Sequence, residues 1–156
     1  MTSATTPRAY VVFPGAGDQV HALGLTAIEK VRSADTAGVC YAFEVLVPPG
    51  FGIPPHVHSR EDEILYVIEG EYAIILGTEQ FRAGAGSVLN FTRGTAHGFQ
   101  NVGATTARAL HVVTPGTSFE QFLHDLGQVP PGPPDLPRLA ALFGKYGMEL
   151  LPPPGP

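Results

Sequence analysis

The stretch Gly50–Gly70, GFGIPPHVHSREDEILYVIEG, decides how the rest of the chain is read. It sets His56 and His58 one residue apart and places Glu63 behind a short polar run. Side chains alternate between the two faces of a strand, so the imidazoles of an extended His56–His58 share one face. A carboxylate close behind them makes a partial metal site. Imidazole and carboxylate together suit Ni, Fe, Mn, Zn, Co or Cu rather than Ca or Mg.

On both sides of this stretch, glycine and proline (19 and 16 residues) punctuate short apolar runs, the pattern of an all-β barrel or sandwich. The expected strands are 10–13, 25–31, 39–47, 53–58, 63–68, 72–76, 80–82, 87–91, 96–101 and 107–113. The run 39–47 is apolar on both faces except at Glu44. Such a strand is sandwiched between the barrel interior and another layer or subunit, which predicts a homodimer.

After residue 116 the apolar period becomes helical. Thr117 and Glu120 have the spacing of a capping box, and Phe119, Phe122, Leu123 and Leu126 share one face. A Pro-rich linker leads to Asp135, placed to cap a second helix with Leu136, Leu139, Leu142 or Phe143, and Tyr146 as its buried stripe. Both helices are expected to lay their apolar faces on the outside of the β unit. The chain therefore divides into a flexible start (1–9), a β-barrel (10–116), a helical extension (117–151) and a Pro-rich tail (152–156).

With 156 residues, 44% apolar and 15% charged, the chain has the composition of one globular domain. A net charge of -5 without a basic cluster argues against nucleic-acid and anionic-membrane partners. Cys40 is the only cysteine, which excludes an intrachain disulfide and a Cys-based zinc site. The first residues lack the apolar core of a signal peptide, and no apolar run is long enough to span a bilayer; a cytoplasmic protein is expected.

A fourth ligand can come from His21, His97, His111 or His124. His124 lies off the apolar stripe of its helix and reads as solvated. His21 sits in a loop-like region. His97 follows the turn Arg93-Gly94-Thr95, at the start of a strand that can run beside the His56–His58 strand.

Two runs carry a specific resemblance. Gly50-x5-His56-x-His58-x4-Glu63-x6-Gly70 matches the first motif of the cupin superfamily at every named position. Gly86-x5-Thr92-x-Gly94-x2-His97-x3-Asn101 matches the second, with threonine where the pattern has proline. More loosely, nearly the whole chain resembles the small bacterial single-domain cupins related to quercetin dioxygenases. The resemblance implies a jelly-roll barrel holding one divalent metal on His56, His58, Glu63 and His97. It also implies that Glu63 doubles as the base that deprotonates a flavonol-like substrate before dioxygen attacks.

Alternation then sets the pocket walls. If His97 and Glu63 point inward, so do Phe99, Leu65 and Val67, which gives apolar walls suited to an aromatic or polyketide-like ligand. Asn90, Thr92, His111 and Glu44 are polar candidates for the same pocket. Each also has a plainer reading: a strand-end hydrogen bond, turn chemistry, an outward histidine and an edge salt bridge. Three functions fit the ligand set: a metal-dependent dioxygenase, which the whole-chain resemblance favours; a non-redox cyclase, isomerase or lyase; and a ligand-binding cupin without turnover.

Overall fold

The computed structural model describes residues 6–152. Among these residues eleven strands form two facing sheets. They are β1 (Gln19–Ala22), β2 (Leu25–Val31), β3 (Tyr41–Val47), β4 (Gly52–His58), β5 (Asp62–Glu69), β6 (Glu71–Leu76), β7 (Glu79–Gly84), β8 (Val88–Phe91), β9 (His97–Asn101), β10 (Ala107–Thr114) and β11 (Met148–Leu150). One sheet runs β1-β2-β3-β10-β5-β8 and the other β11-β4-β9-β6-β7. All pairings are antiparallel, giving a jelly roll. Two helices follow the barrel, α1 (Thr117–Gly127) and α2 (Leu136–Lys145). Among the described residues no helix is long and apolar enough to cross a membrane.

Alternation builds the core. Tyr41, Phe43, Val45 and Val47 point inward from β3, and Ala107, Ala109, His111 and Val113 from β10, where buried and half-buried residues alternate without a break. The inward residues of β5 are Glu63, Leu65 and Val67. β4 and β9 approach closely. A Cβ on Gly98 would stand 2.9 Å from the carbonyl oxygen of Ile53 and 3.0 Å from the nitrogen of Pro55, so only glycine lets β9 lie against β4 there.

Four elements differ from the sequence expectation. Residues 10–13 form no strand; Val11 and Phe13 are exposed, and the first strand is β1. The capping box at Thr117 does not form. Gly116 holds the cap position, and Glu120 instead accepts hydrogen bonds from the backbone N–H of Ser33 at 2.8 Å and from its hydroxyl. Asp135 does cap α2, through Arg138 N–H at 3.1 Å, but Leu136 is 65% exposed and drops out of the stripe. A last strand, β11, lies in the stretch read as helical and pairs with β4 opposite His56 and His58. Part of the expected flexible start and nearly all of the Pro-rich tail lie outside the described residues.

The helices also do more than cover a sheet from outside. Phe119, Phe122, Leu123 and Leu126 of α1 and Phe143 of α2 line the same cavity as Phe43, Val45 and Phe99 of the barrel. Their apolar faces close its mouth.

Candidate metal centre

Glu63 comes from one sheet and three imidazoles from the other. His56 and His58 sit on β4, His97 on β9 directly opposite His56, and Glu63 on β5 across the barrel. The four are buried, at 6%, 1%, 2% and 5% exposure respectively, and their ligand atoms lie within 4.8 Å of one another. His56 Nε2 is 3.0 Å from His58 Nε2, and Glu63 Oε2 is 3.5 Å from His97 Nε2 and 3.8 Å from His58 Nε2. Ligand atoms each about 2.1 Å from a shared ion stand roughly 3 to 3.5 Å apart, so the cluster has the right dimensions.

The backbone fixes the tautomers. A carbonyl only accepts, so His56 donates its Nδ1–H to Pro54 O at 2.9 Å and His97 its Nδ1–H to Thr95 O at 3.0 Å. Both rings thereby turn an unprotonated Nε2 into the cluster, and His97 Nε2 has no hydrogen-bond partner. The β4–β9 pairing and the turn before β9 supply this geometry. In that turn Gly94, at φ 79°, donates its N–H to His58 O at 2.8 Å. Aromatic rings back the ligands: Phe91 stacks on His97 at 4.2 Å, Phe119 on His58 at 5.5 Å, and Phe143 meets the edge of His56 at 6.1 Å. Free buried lone pairs, one carboxylate and locked rings together fit a divalent first-row metal.

Electrostatics point the same way. Burial, then the nearby His97 and His58, lowers the His56 pKa to about 3, so the ring is neutral and able to ligate at neutral pH. Its reference value is 6.5, so below that pH the unfolded chain takes up a proton that the folded chain refuses. Metal-free protein should therefore lose stability between pH 6.5 and about 3, at a slope approaching ~1.4 kcal/mol per pH unit from this group. Melting at stepped pH checks this, and His56→Gln should flatten the slope. Burial alone would raise Glu63. The hydrogen bond from His111 and the neighbouring His97 outweigh it and hold the carboxyl well below its ordinary value.

His111, on β10 beside β5, donates its Nδ1–H to Glu63 Oε1 at 2.5 Å. Its ring stacks on Phe43 at 5.2 Å, and its Nε2 is buried without a partner. It lines the cavity together with Phe99, His56 and Glu63. The cavity measures about 70 Å³, and its remaining walls are apolar.

Other pocket candidates fall elsewhere. Leu65 and Val67 point inward and are fully buried in the core, but do not line the cavity. Asn90 is exposed, because β8 turns Phe91 inward opposite Glu63 and so turns Asn90 outward opposite Ile64. Thr92 is exposed in the turn, 3.0 Å from the Thr95 hydroxyl. Glu44 points outward, 3.6 Å from Arg108 and 3.9 Å from Lys30, since its neighbour Phe43 faces in. His124 is not simply solvated; it meets the buried carboxylate of Glu29 at 2.8 Å, which also accepts from Tyr41 at 3.0 Å. Sequence reasoning missed Phe119 and Phe143 as walls, and the polar run before Glu63 does not show that its Glu61 is buried, at 2% exposure.

Known proteins agree with the fold. Residues 43–113 match the family model described as Cupin domain. Germin-like protein 1-3 of Oryza sativa subsp. japonica is 33% identical over 133 residues, covering 77% of this chain and 58% of that protein. Tetracenomycin polyketide synthase protein TcmJ of Streptomyces glaucescens is 33% identical over 67 residues, covering 43% of this chain and 45% of that protein. The chain thus spans about half the length of these relatives. The structure of KdgF from Halomonas sp. superposes with a TM-score of 0.65 at 19% identity, over 72% of this chain and 99% of that one. The matched residues 43–113 include His56, His58, Glu63 and His97 and are similar to the Cupin domain family, and the fold is the cupin jelly roll.

Proposed function

We propose that the protein is a metal-dependent dioxygenase acting on a small enolisable aromatic substrate of flavonol- or polyketide-like chemistry. One observation carries this reading: Glu63 stands between the three imidazoles and His111, with its second oxygen held by His111 at the floor of an apolar cavity. A divalent transition metal on His56, His58, Glu63 and His97 would polarise a substrate oxygen and, where redox-active, give dioxygen a route to the substrate.

The chain's own residues do the rest. The hydrogen bond from His111 and the neighbouring His97 hold Glu63 well below its ordinary pKa, so it is ionised and able to take a proton from an enol or phenol whose acidity a bound metal would raise. It accepts the substrate proton, and His111 keeps the carboxylate aimed by donating from Nδ1. The Nε2 of His111, buried without a partner beside the cavity, can hydrogen-bond a substrate hydroxyl there. Phe43, Phe99, Phe119 and Phe122 exclude water and offer aromatic faces. The similarity to TcmJ supports polyketide-like substrates. A second reading, a non-redox cyclase or isomerase, rests on the same pair, because proton transfer at Glu63 and His111 suffices for that chemistry. In both readings the partner is a small molecule and the protein works in the cytoplasm.

Oxygen uptake separates the two. Protein loaded with a single defined metal should consume dioxygen in step with conversion of flavonols or enolisable aromatic polyketides. Conversion without oxygen consumption would establish the non-redox reading, and binding without conversion would leave a ligand-binding cupin.

We also propose a homodimer through the outer face of the six-stranded sheet. There Ile64 and Tyr66 of β5 are 44% and 43% exposed, beside Val88 of β8 at 66%. Light scattering should give twice the chain mass; a monomer at micromolar concentration would refute this.

A further inference from the structure

Two of the three histidines have their tautomer fixed by a backbone carbonyl; His58 does not. Its Nδ1 is buried and makes no hydrogen bond. Glu61 Oε2 lies 3.7 Å from it, also buried and also without a partner. Glu61 as a whole is 2% exposed, in a turn whose other residues are tied outward. Asp62 accepts from the backbone N–H and side chain of Arg93, both at 2.8 Å, and Ser59 donates its N–H and hydroxyl to Gly147 O at 2.9 and 2.6 Å. The turn is thus pinned from two sides, with Glu61 Oε2 buried against the ligand strand. A buried charge without a partner is unfavourable, so such a group is retained where something compensates it.

An ionised carboxylate only accepts, so an imidazole nitrogen facing it is favourable only when it carries hydrogen. Hydrogen on Nδ1 leaves the His58 Nε2 lone pair free, and Nε2 is the atom that faces His56 and Glu63. At 3.7 Å the pair is just beyond hydrogen-bond length, and an approach of about half an ångström closes it. Glu61 also brings a second carboxylate to the buried surroundings of the cluster, and two carboxylates match the charge of a dication.

We infer that Glu61 is a positioning residue for the metal centre: it accepts Nδ1–H of His58, selects the tautomer whose Nε2 ligates, and balances the charge of a divalent cation. The inference rests on His56, His58, Glu63 and His97 being the metal ligands. It adds a carboxylate–histidine pair to the two carbonyl–histidine pairs, so that every ligating imidazole is oriented from behind.

The test is metal binding rather than turnover. Zn²⁺ is titrated calorimetrically into chelator-stripped full-length protein, wild type, Glu61→Gln and Glu61→Leu. Wild type should take one ion per chain. Glu61→Leu should bind roughly ten- to a hundredfold more weakly, and Glu61→Gln, whose side-chain oxygen still accepts, should fall between. In zinc-loaded wild type, ¹⁵N spectra of the histidines should show His58 protonated at Nδ1, a measurement that decides the matter even if Glu61→Leu does not fold. An unprotonated His58 Nδ1, or Glu61→Leu binding within twofold of wild type, overturns the inference alone. Wild-type protein that binds no zinc overturns the ligand assignment and this inference with it.

Discussion

Glu63→Gln should reduce turnover by roughly two to four orders of magnitude, the range removed with a general base. It should also weaken metal binding, because the cluster loses its only carboxylate ligand. The two effects separate when kcat is measured at saturating metal, where the loss that remains belongs to proton transfer. The fold should survive, since an amide keeps an oxygen for the Nδ1–H of His111. His111→Phe provides the comparison. It keeps a flat ring to stack on Phe43 but removes the donor to Glu63. With that donor gone, the influence that most lowers the Glu63 carboxyl is lost, and the pH at which activity rises should move upward. Full metal content together with full turnover in Glu63→Gln would refute both roles of the residue.

The metal cluster was legible in the sequence because it depends on local rules. His56 and His58 share a face through period-two alternation. Glu63 follows a short polar turn and His97 the turn at Gly94, at the spacings of the two motifs that carry the cupin resemblance. The same alternation misplaced nothing; it lacked an anchor. In 87–91 no residue has a chemical reason to face the metal, so the inward position of Phe91, and with it the outward position of Asn90, is known only once β8 is seen to pair with β5. Glu44 failed likewise inside a strand apolar on both faces. The remaining misses come from distant contacts. Glu61 is buried because the turn at 59–62 meets Gly147, 88 residues after Ser59. Glu120 leaves its expected cap because Ser33, 87 residues earlier, offers two donors. A charged residue in a polar run reads as solvated until the segment that covers it is in place.

The helices close the chamber proposed to receive the substrate, and Phe119→Ala should expose this. Phe119 is 8% exposed, stacked on His58 at 5.5 Å and on Phe43 at 5.7 Å, and lines the cavity. Removing a buried phenyl group costs about 3–5 kcal/mol. For a domain of this size the melting temperature should fall by roughly 6–20 °C. The chamber of about 70 Å³ is smaller than the ~150 Å³ of an engineered apolar cavity that holds benzene. An aromatic substrate therefore enters wild-type protein only when Phe119 or its neighbours give way, whereas the variant has room at once. Benzene or phenol should raise the melting temperature of Phe119→Ala, in proportion to occupancy, and leave wild type nearly unchanged. If the variant is as stable as wild type, α1 does not seal the barrel. If it is destabilised but gains nothing from aromatic ligands, the enlarged space collapses or fills with water, and the substrate must be sought among molecules small enough for the closed chamber.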